Sequence, residues 1–254
     1  MTIDFEKKDH VRIMTFNNPD KRNALGIQDF LEMERIDDEV SADPDAWVLI
    51  ITGAGDKAFC AGADLQEAIG AATSGEHKIE AKPKRWFSHC YKPIIAAVNG
   101  FALAGGTEIA LLTDIRIAAE QATFGIREVR WGLVPLGGSL VNLPRQVPYC
   151  RAMELLLVGD KISSQEALQY GLINRIVPQK ELMPTAMQLA ERICENGPVA
   201  VRLVKEIVLK SLSLPRELGF LAEMELGAQA YSTEDAKEGP LAFFEKRKPR
   251  FTGR

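Results

Sequence analysis

Through the first half of the chain, short apolar runs alternate with longer stretches whose apolar residues recur at helical spacing. Val11–Phe16 and Trp47–Thr52 are apolar or β-branched runs that end at Asn or Gly, which predicts strands. Between them, Ile27–Val40 sets Ile27, Phe30, Leu31, Ile36 and Val40 against an acidic face, which predicts an amphipathic helix. Pro93–Val98 reads as a buried strand stopped by Asn99–Gly100, residues 105–112 as a helix, and Ile115–Ala118 as a further strand. This alternation predicts an α/β layer in which the loops after strands carry the chemistry.

The second half reads as helices. Ala152–Val158 and Ser164–Tyr170 have helical spacing, and the latter opens on Ser163 or Ser164 with Glu166 in reach of a capping box. Ala186, Leu189, Ala190 and Ile193 mark a helix over 185–194, which Asn196–Gly197–Pro198 ends. A further helix carries Val201, Val204 and Val208, and Leu218–Tyr231 and Glu234–Phe244 complete a helical tail. A boundary near residue 197 therefore separates a core, 1–196, from a helical region, 197–254. The apolar faces of that region suit either closure over its own core or packing on a neighbouring subunit.

Composition narrows the class. A chain of 254 residues, 46% hydrophobic and 26% charged, is an ordinary globular protein with room for a substantial core. Its net charge of −4 argues against general nucleic-acid binding. Cys60, Cys90, Cys150 and Cys194 lack metal-ligand spacing, and His10, His77 and His89 do not cluster, so free thiols in a reducing compartment are expected. MTIDFEKKDH lacks the apolar core of a secretion signal, and the longest apolar runs, Val48–Ile51 and Ile94–Val98, are too short to span a bilayer. A cytoplasmic protein is expected. The basic run Lys246, Arg247, Lys248 and Arg250 suits a solvated tail or a contact to a phosphate-bearing ligand.

The chemistry concentrates in Asn99–Ala110, NGFALAGGTEIA. Glu108 is a lone carboxylate in an apolar helical run, where ionisation without partners costs several kcal/mol or more. Gly105 and Gly106 leave backbone N–H groups uncovered at the helix start, a place that favours an anion. Gly105 and Glu108 are three apart, so a donor and a proton-transfer group share one helical face.

Three more segments fall in line with it: Asn18–Leu25 (NPDKRNAL), Thr52–Leu65 (TGAGDKAFCAGADL) and Phe124–Ser139 (FGIREVRWGLVPLGGS). Together the four segments resemble the crotonase superfamily, the enoyl-CoA hydratase/isomerase family, from about residue 3 to the terminal AFFEKRKPRF. The resemblance implies a spiral of ββα turns with a helical C-terminal oligomerisation region. It implies an acyl-CoA substrate, a homotrimer or dimer of trimers, and no metal or redox cofactor, coenzyme A being part of the substrate. The oxyanion donors it implies are the N–H groups of Ala63 and Gly105; the two catalytic carboxylates are Glu108, activating water, and Glu128, delivering a proton to Cα. Lys21 and Arg22 match the basic pair near the nucleotide phosphates, and Ala24 borders the adenine site. Ala61, Asp64, Leu65 and Gln66 would contact pantetheine and adenine, although Asp64 is equally placed to cap a helix starting near Leu65.

Several positions depart from the family pattern. Ala104 stands for a glycine, Gln66 for a common lysine, Arg127 for a frequent proline, and Leu136 for a glycine near the catalytic water; Trp131 is bulkier than usual. The expected activity is hydration of a 2-enoyl-CoA, with 3,2-enoyl-CoA isomerisation by Glu128 alone, or hydration of a specialised acyl-CoA, as alternatives. A bland reading of Glu128 pairs it with Arg127 or Arg130 on a surface loop. Gly53–Ala54–Gly55 with Ala58 fits a dinucleotide fingerprint, but Phe59–Cys60–Ala61–Gly62 breaks the helix that motif needs. A non-catalytic RNA-binding relative finds no support in the acidic balance.

Overall fold

A computed structural model of the chain describes residues 2–64, 66–67 and 85–254. Ten described strands form two sheets. The larger takes β1 (Ile3–Lys8), β2 (Val11–Phe16), β3 (Val48–Gly53), β5 (Ile94–Val98), β7 (Ile115–Ala119) and β10 (Arg175–Val177), in that spatial order. The smaller takes β4 (Ala58–Cys60), β6 (Phe101–Leu103), β8 (Thr123–Gly125) and β9 (Ile162–Ser163). Only β1–β2 and β8–β9 are antiparallel. The chain alternates between sheets: β3 then β4, β5 then β6, helix α2 (Gly105–Leu111), then β7 and β8. That is the spiral of ββα turns expected.

Every residue of β3 and β5 is buried, because both faces of the parallel sheet are covered. Leu49, Ile51, Ile94, Ala96 and Val98 pack with helix α1 (Ile27–Ala42) through Met33, Ile36 and Val40. Val48, Ile50, Ile95 and Ala97 face Leu182, Ala186 and Ala190 of α6 (Leu182–Cys194). The period-2 alternation thus divides one sheet between two cores.

Further helices are α3 (Ser139–Gln146), α4 (Tyr149–Val158), α5 (Ser164–Gln169), α7 (Pro198–Ser211), α8 (Arg216–Ala230) and α9 (Asp235–Phe244). Ser163 caps α5 and Glu166 returns the bond to its N–H, the expected capping box. Among the expected helices, α1 runs two residues past its expected end, while α4 and α6 start three residues and α8 two residues before their expected starts.

Helices α7 and α8 pack on each other and meet the core through Lys205, whose Nζ contacts Asp114 Oδ2 at 2.7 Å and the Lys92 carbonyl at 2.8 Å. Val204, Val208, Leu212, Leu221, Met224, Phe243 and Phe244 remain exposed, Phe244 by 80%, so their apolar faces are not closed over this chain's own core. No helix among the described residues is long and apolar enough to cross a membrane.

Candidate active site

Three loops meet at the ends of β2, β4 and β6. Ala61 N donates to the Arg22 carbonyl at 3.1 Å, Leu25 N to Gly62 O at 2.9 Å and Asp64 N to Leu25 O at 2.8 Å. In this parallel bridge Leu25 pairs with Ala63, and the bonds use the flanking Gly62 carbonyl and Asp64 N–H. The N–H of Ala63 therefore points away from Leu25. Ala63 N also lies close to the start of α2: a methyl built on Gly105 would sit 3.9 Å from it. Gly105 heads that helix, so its own N–H has no intrahelical acceptor. Gly62 is required between them: its φ is +93°, and an added Cβ would lie 3.1 Å from Gly105 N.

Ala104 holds φ 51° and ψ −123°, a conformation that side chains disfavour by about 1–3 kcal/mol. Its surroundings over-determine it: its N–H donates to Gly125 O at 2.8 Å and its carbonyl accepts from Glu108 N at 3.1 Å. The missing third glycine leaves the Gly105 donor in place.

The side chains of Asn23 and Asn99 hold the loop entering β4. Both Nδ2 groups donate to the Ala58 carbonyl, at 2.7 Å and 3.0 Å. Asn23 sits at φ 55°, a left-handed conformation that asparagine tolerates better than most residues. Its place after the basic pair in NPDKRNAL was the available signal.

Glu108 is 4% exposed. Its Oε1 accepts from Gly137 N at 2.8 Å, Ser139 N at 3.2 Å and Ser139 Oγ at 2.8 Å. Its Oε2 faces Gly137, where an added Cβ would sit 2.4 Å from that oxygen and 2.9 Å from Trp86 Cη2. Gly137 is thus the glycine that makes room for this carboxylate; Leu136 beside it is 52% exposed, and its carbonyl accepts from Arg85 Nε at 3.1 Å. Trp131 is 68% exposed. The bulk of Leu136 and Trp131 therefore does not press on Glu108 within this chain. Trp86, stacked on Phe30 at 5.6 Å, is the large side chain that reaches this carboxylate's surroundings.

Glu128 opens a short 3-10 turn, Glu128–Trp131. It makes no ion pair with Arg127 or Arg130; Arg130 pairs with Asp160 at 3.1 Å. Its Oε2 is buried with no hydrogen-bond partner among the described residues. Burial raises the Glu128 carboxyl above the ordinary glutamate range, and the nearby charge of Glu108 raises it further.

The profile of the enoyl-CoA hydratase/isomerase family matches residues 6–254. This chain belongs to that family. An enoyl-CoA hydratase of Mycobacterium tuberculosis is 42% identical over 98% of this chain and 96% of its own length. A short-chain-enoyl-CoA hydratase of Clostridium acetobutylicum is 39% identical over 96% of this chain and 94% of its own. Among solved structures, an enoyl-CoA hydratase from Bacillus anthracis superposes with a TM-score of 0.92 at 36% identity, covering 100% of both chains. The two-sheet spiral is accordingly the crotonase fold, and an acyl-CoA substrate follows from membership of the enoyl-CoA hydratase/isomerase family.

The remaining family positions divide. Lys21, Arg22, Ala24, Ala61 and Asp64 come together through the loop bonds above. Lys21 Nζ lies 2.7 Å from Asp64 Oδ2, a contact that raises the lysine and lowers the aspartate from their ordinary values. Asp64 Oδ1 also accepts from Gln66 N at 2.9 Å. Arg22 lies over the Phe101 ring at 5.7 Å, and Lys161, missed from the sequence, approaches the same ring at 5.2 Å. Leu65 lies outside the described residues. In the terminal basic run, Arg247 is bound to Glu238 and Glu245, and Glu238 is pulled down to about 2 by Arg247 and the Arg250 N–H. Glu238, Arg247 and Arg250 line a cavity of about 570 Å³ between α9 and the tail, remote from Glu108 in the chain and sharing none of its partners.

Proposed function

We propose that the protein is an enoyl-CoA hydratase, adding water across the 2,3 double bond of a 2-enoyl-CoA. The observation that carries this reading is the unequal treatment of two neighbouring carboxyls. Glu108 has one oxygen saturated by three donors, and Glu128 is pushed toward its neutral form. A carboxylate with three donors on one oxygen, beside a carboxyl that burial raises, suits a reaction that needs a base and an acid at adjacent carbons.

In this mechanism the thioester oxygen accepts hydrogen bonds from Ala63 N–H and Gly105 N–H. Each such donor contributes about 2.7–4 kcal/mol as charge develops. Glu108 takes a proton from water through Oε2 while the hydroxide oxygen bonds to Cβ. The π electrons move to Cα and the thioester oxygen, and Glu128 gives its proton to Cα. Proton transfer from Glu108 to Glu128 restores the starting state. The groups used are side chains, amides and water, with coenzyme A carried by the substrate.

Lys21, Arg22, Ala24, Ala61, Asp64, Leu65 and Gln66 are proposed to border the coenzyme A moiety, with Lys21 exchanging its Asp64 contact for a phosphate. The exposed apolar faces of α7–α9 suit a homotrimer or a dimer of trimers, with residues 197–254 as the oligomerisation region. A cytoplasmic location accords with free thiols.

The test is loss of the conjugated thioester absorbance over a panel of 2-enoyl-CoAs. Hydration with a trans-2-enoyl-CoA is expected. Turnover confined to 3-enoyl-CoAs, unaffected by Glu108→Gln, would replace this reading by the isomerase.

A further inference from the structure

We infer that Ser139 is a positioning residue that, through its side-chain hydroxyl, selects which oxygen of Glu108 acts as the base; this rests on the hydratase reading. Ser139 is fully buried, and its Oγ donates to Glu108 Oε1 at 2.8 Å. The other donors to that oxygen, Gly137 N at 2.8 Å and Ser139 N at 3.2 Å, belong to the main chain of the same turn. All three are neutral. The hydroxyl is the one donor of this set that a side-chain substitution can remove.

Three donors converging on Oε1 leave little room for a proton there. The proton taken from water must then go to Oε2, the oxygen beside Gly137. A hydrogen bond to an ionised carboxylate favours that ionised form, so removing one makes Glu108 easier to protonate. The main-chain donors would still hold the carboxylate near its place. The signature of losing Ser139 Oγ is therefore a base that is blocked at higher pH, accompanied by looser orientation.

The experiment measures log kcat against pH for hydration of one 2-enoyl-CoA by wild type, Ser139→Ala and Ser139→Thr, with melting temperatures alongside. Ser139→Ala should lose roughly 10-fold in kcat, leave KM within about twofold, and move the acid limb to higher pH. Ser139→Thr, which keeps the hydroxyl, should restore both kcat and limb. If Ser139→Ala does not fold, Ser139→Cys, a weaker donor of similar size, should move the limb the same way. An unchanged profile overturns the proposal. So does a drop in kcat with an unmoved limb that threonine fails to restore, since packing alone would do that. A wild type that hydrates no 2-enoyl-CoA overturns the underlying reading as well; an active wild type with an indifferent Ser139→Ala overturns the positioning role alone.

Discussion

Glu108 and Glu128 are the same residue type twenty positions apart, and the fold treats them in opposite ways. Glu108 stands on α2, packed against β6 and β4 of the smaller sheet and facing a turn that supplies three donors to one oxygen. Glu128 stands on a 3-10 turn at the rim, with one oxygen buried and unpartnered. What separates them is the local supply of hydrogen-bond donors. Around Glu108 three donors meet one oxygen, whereas around Glu128 burial raises the carboxyl. The proposed division of labour, base at 108 and acid at 128, follows from that contrast.

The severest way to break the contrast is to neutralise one member. Glu108→Gln and Glu128→Gln should each reduce kcat for hydration by about 10²–10⁴-fold, measured by loss of enoyl-thioester absorbance, with binding of a saturated acyl-CoA largely retained. If one glutamine variant keeps full activity, that carboxyl is not one of the pair. Next comes crowding. Gly137→Ala places a methyl 2.4 Å from Glu108 Oε2, so the carboxylate must move, and a displacement of about 1 Å costs about 10²-fold in turnover. Retained turnover in a folded Gly137→Ala variant would show that the carboxylate's position is not critical.

A smaller effect should come from the aromatic side. Trp86, stacked on Phe30 beside Gly137, bounds the region past Glu108. Trp86→Ala should raise the ratio of kcat/KM for long over short enoyl-CoAs several-fold, by about 1–3 kcal/mol per methylene accommodated at most. An unchanged ratio would remove Trp86 from substrate selection.

The smallest effect is on stability. Because the Glu128 carboxyl is raised in the fold, the folded state holds that proton more tightly than the unfolded chain does. Stability is therefore lost as pH rises from the ordinary glutamate value through the raised one. Glu128→Gln removes that loss, so it should melt above wild type at neutral pH, and the gap should close as pH falls below about 4.3. Equal melting temperatures at both ends would mean that Glu128 is not strained by its burial.

Much of this arrangement was legible in the sequence. The strands β2, β3, β5 and β7 announced themselves as apolar runs because the sheet is covered on both faces, and α1 by its one-sided apolar spacing. Glu108 stood out as a carboxylate in an apolar run, and the sequence pointed to both glutamates through the family motifs. The second sheet was not legible, since β4, β6, β8 and β9 have only two or three residues each and exist through pairing with distant segments. The partners of Glu108 were hidden for the same reason: Gly137 and Ser139 lie 29 and 31 residues away. Trp86 carries no local sign of its approach to Gly137, and Leu136, a departure from the family pattern, directly precedes the glycine that faces Glu108. Lys21 matched the family's basic pair near the nucleotide phosphates, and its contact to Asp64, 43 residues on, was not legible.

The central claim, that the fold gives the two carboxyls unlike surroundings and raises Glu128, is tested most directly by ¹³C NMR of protein labelled at glutamate Cδ, with Glu128 assigned from the spectrum of Glu128→Gln. The Glu128 signal should titrate above the ordinary glutamate range, and its midpoint should fall when Glu108→Gln removes the neighbouring charge. A Glu128 signal that titrates at or below the ordinary value, indifferent to Glu108→Gln, would contradict the account.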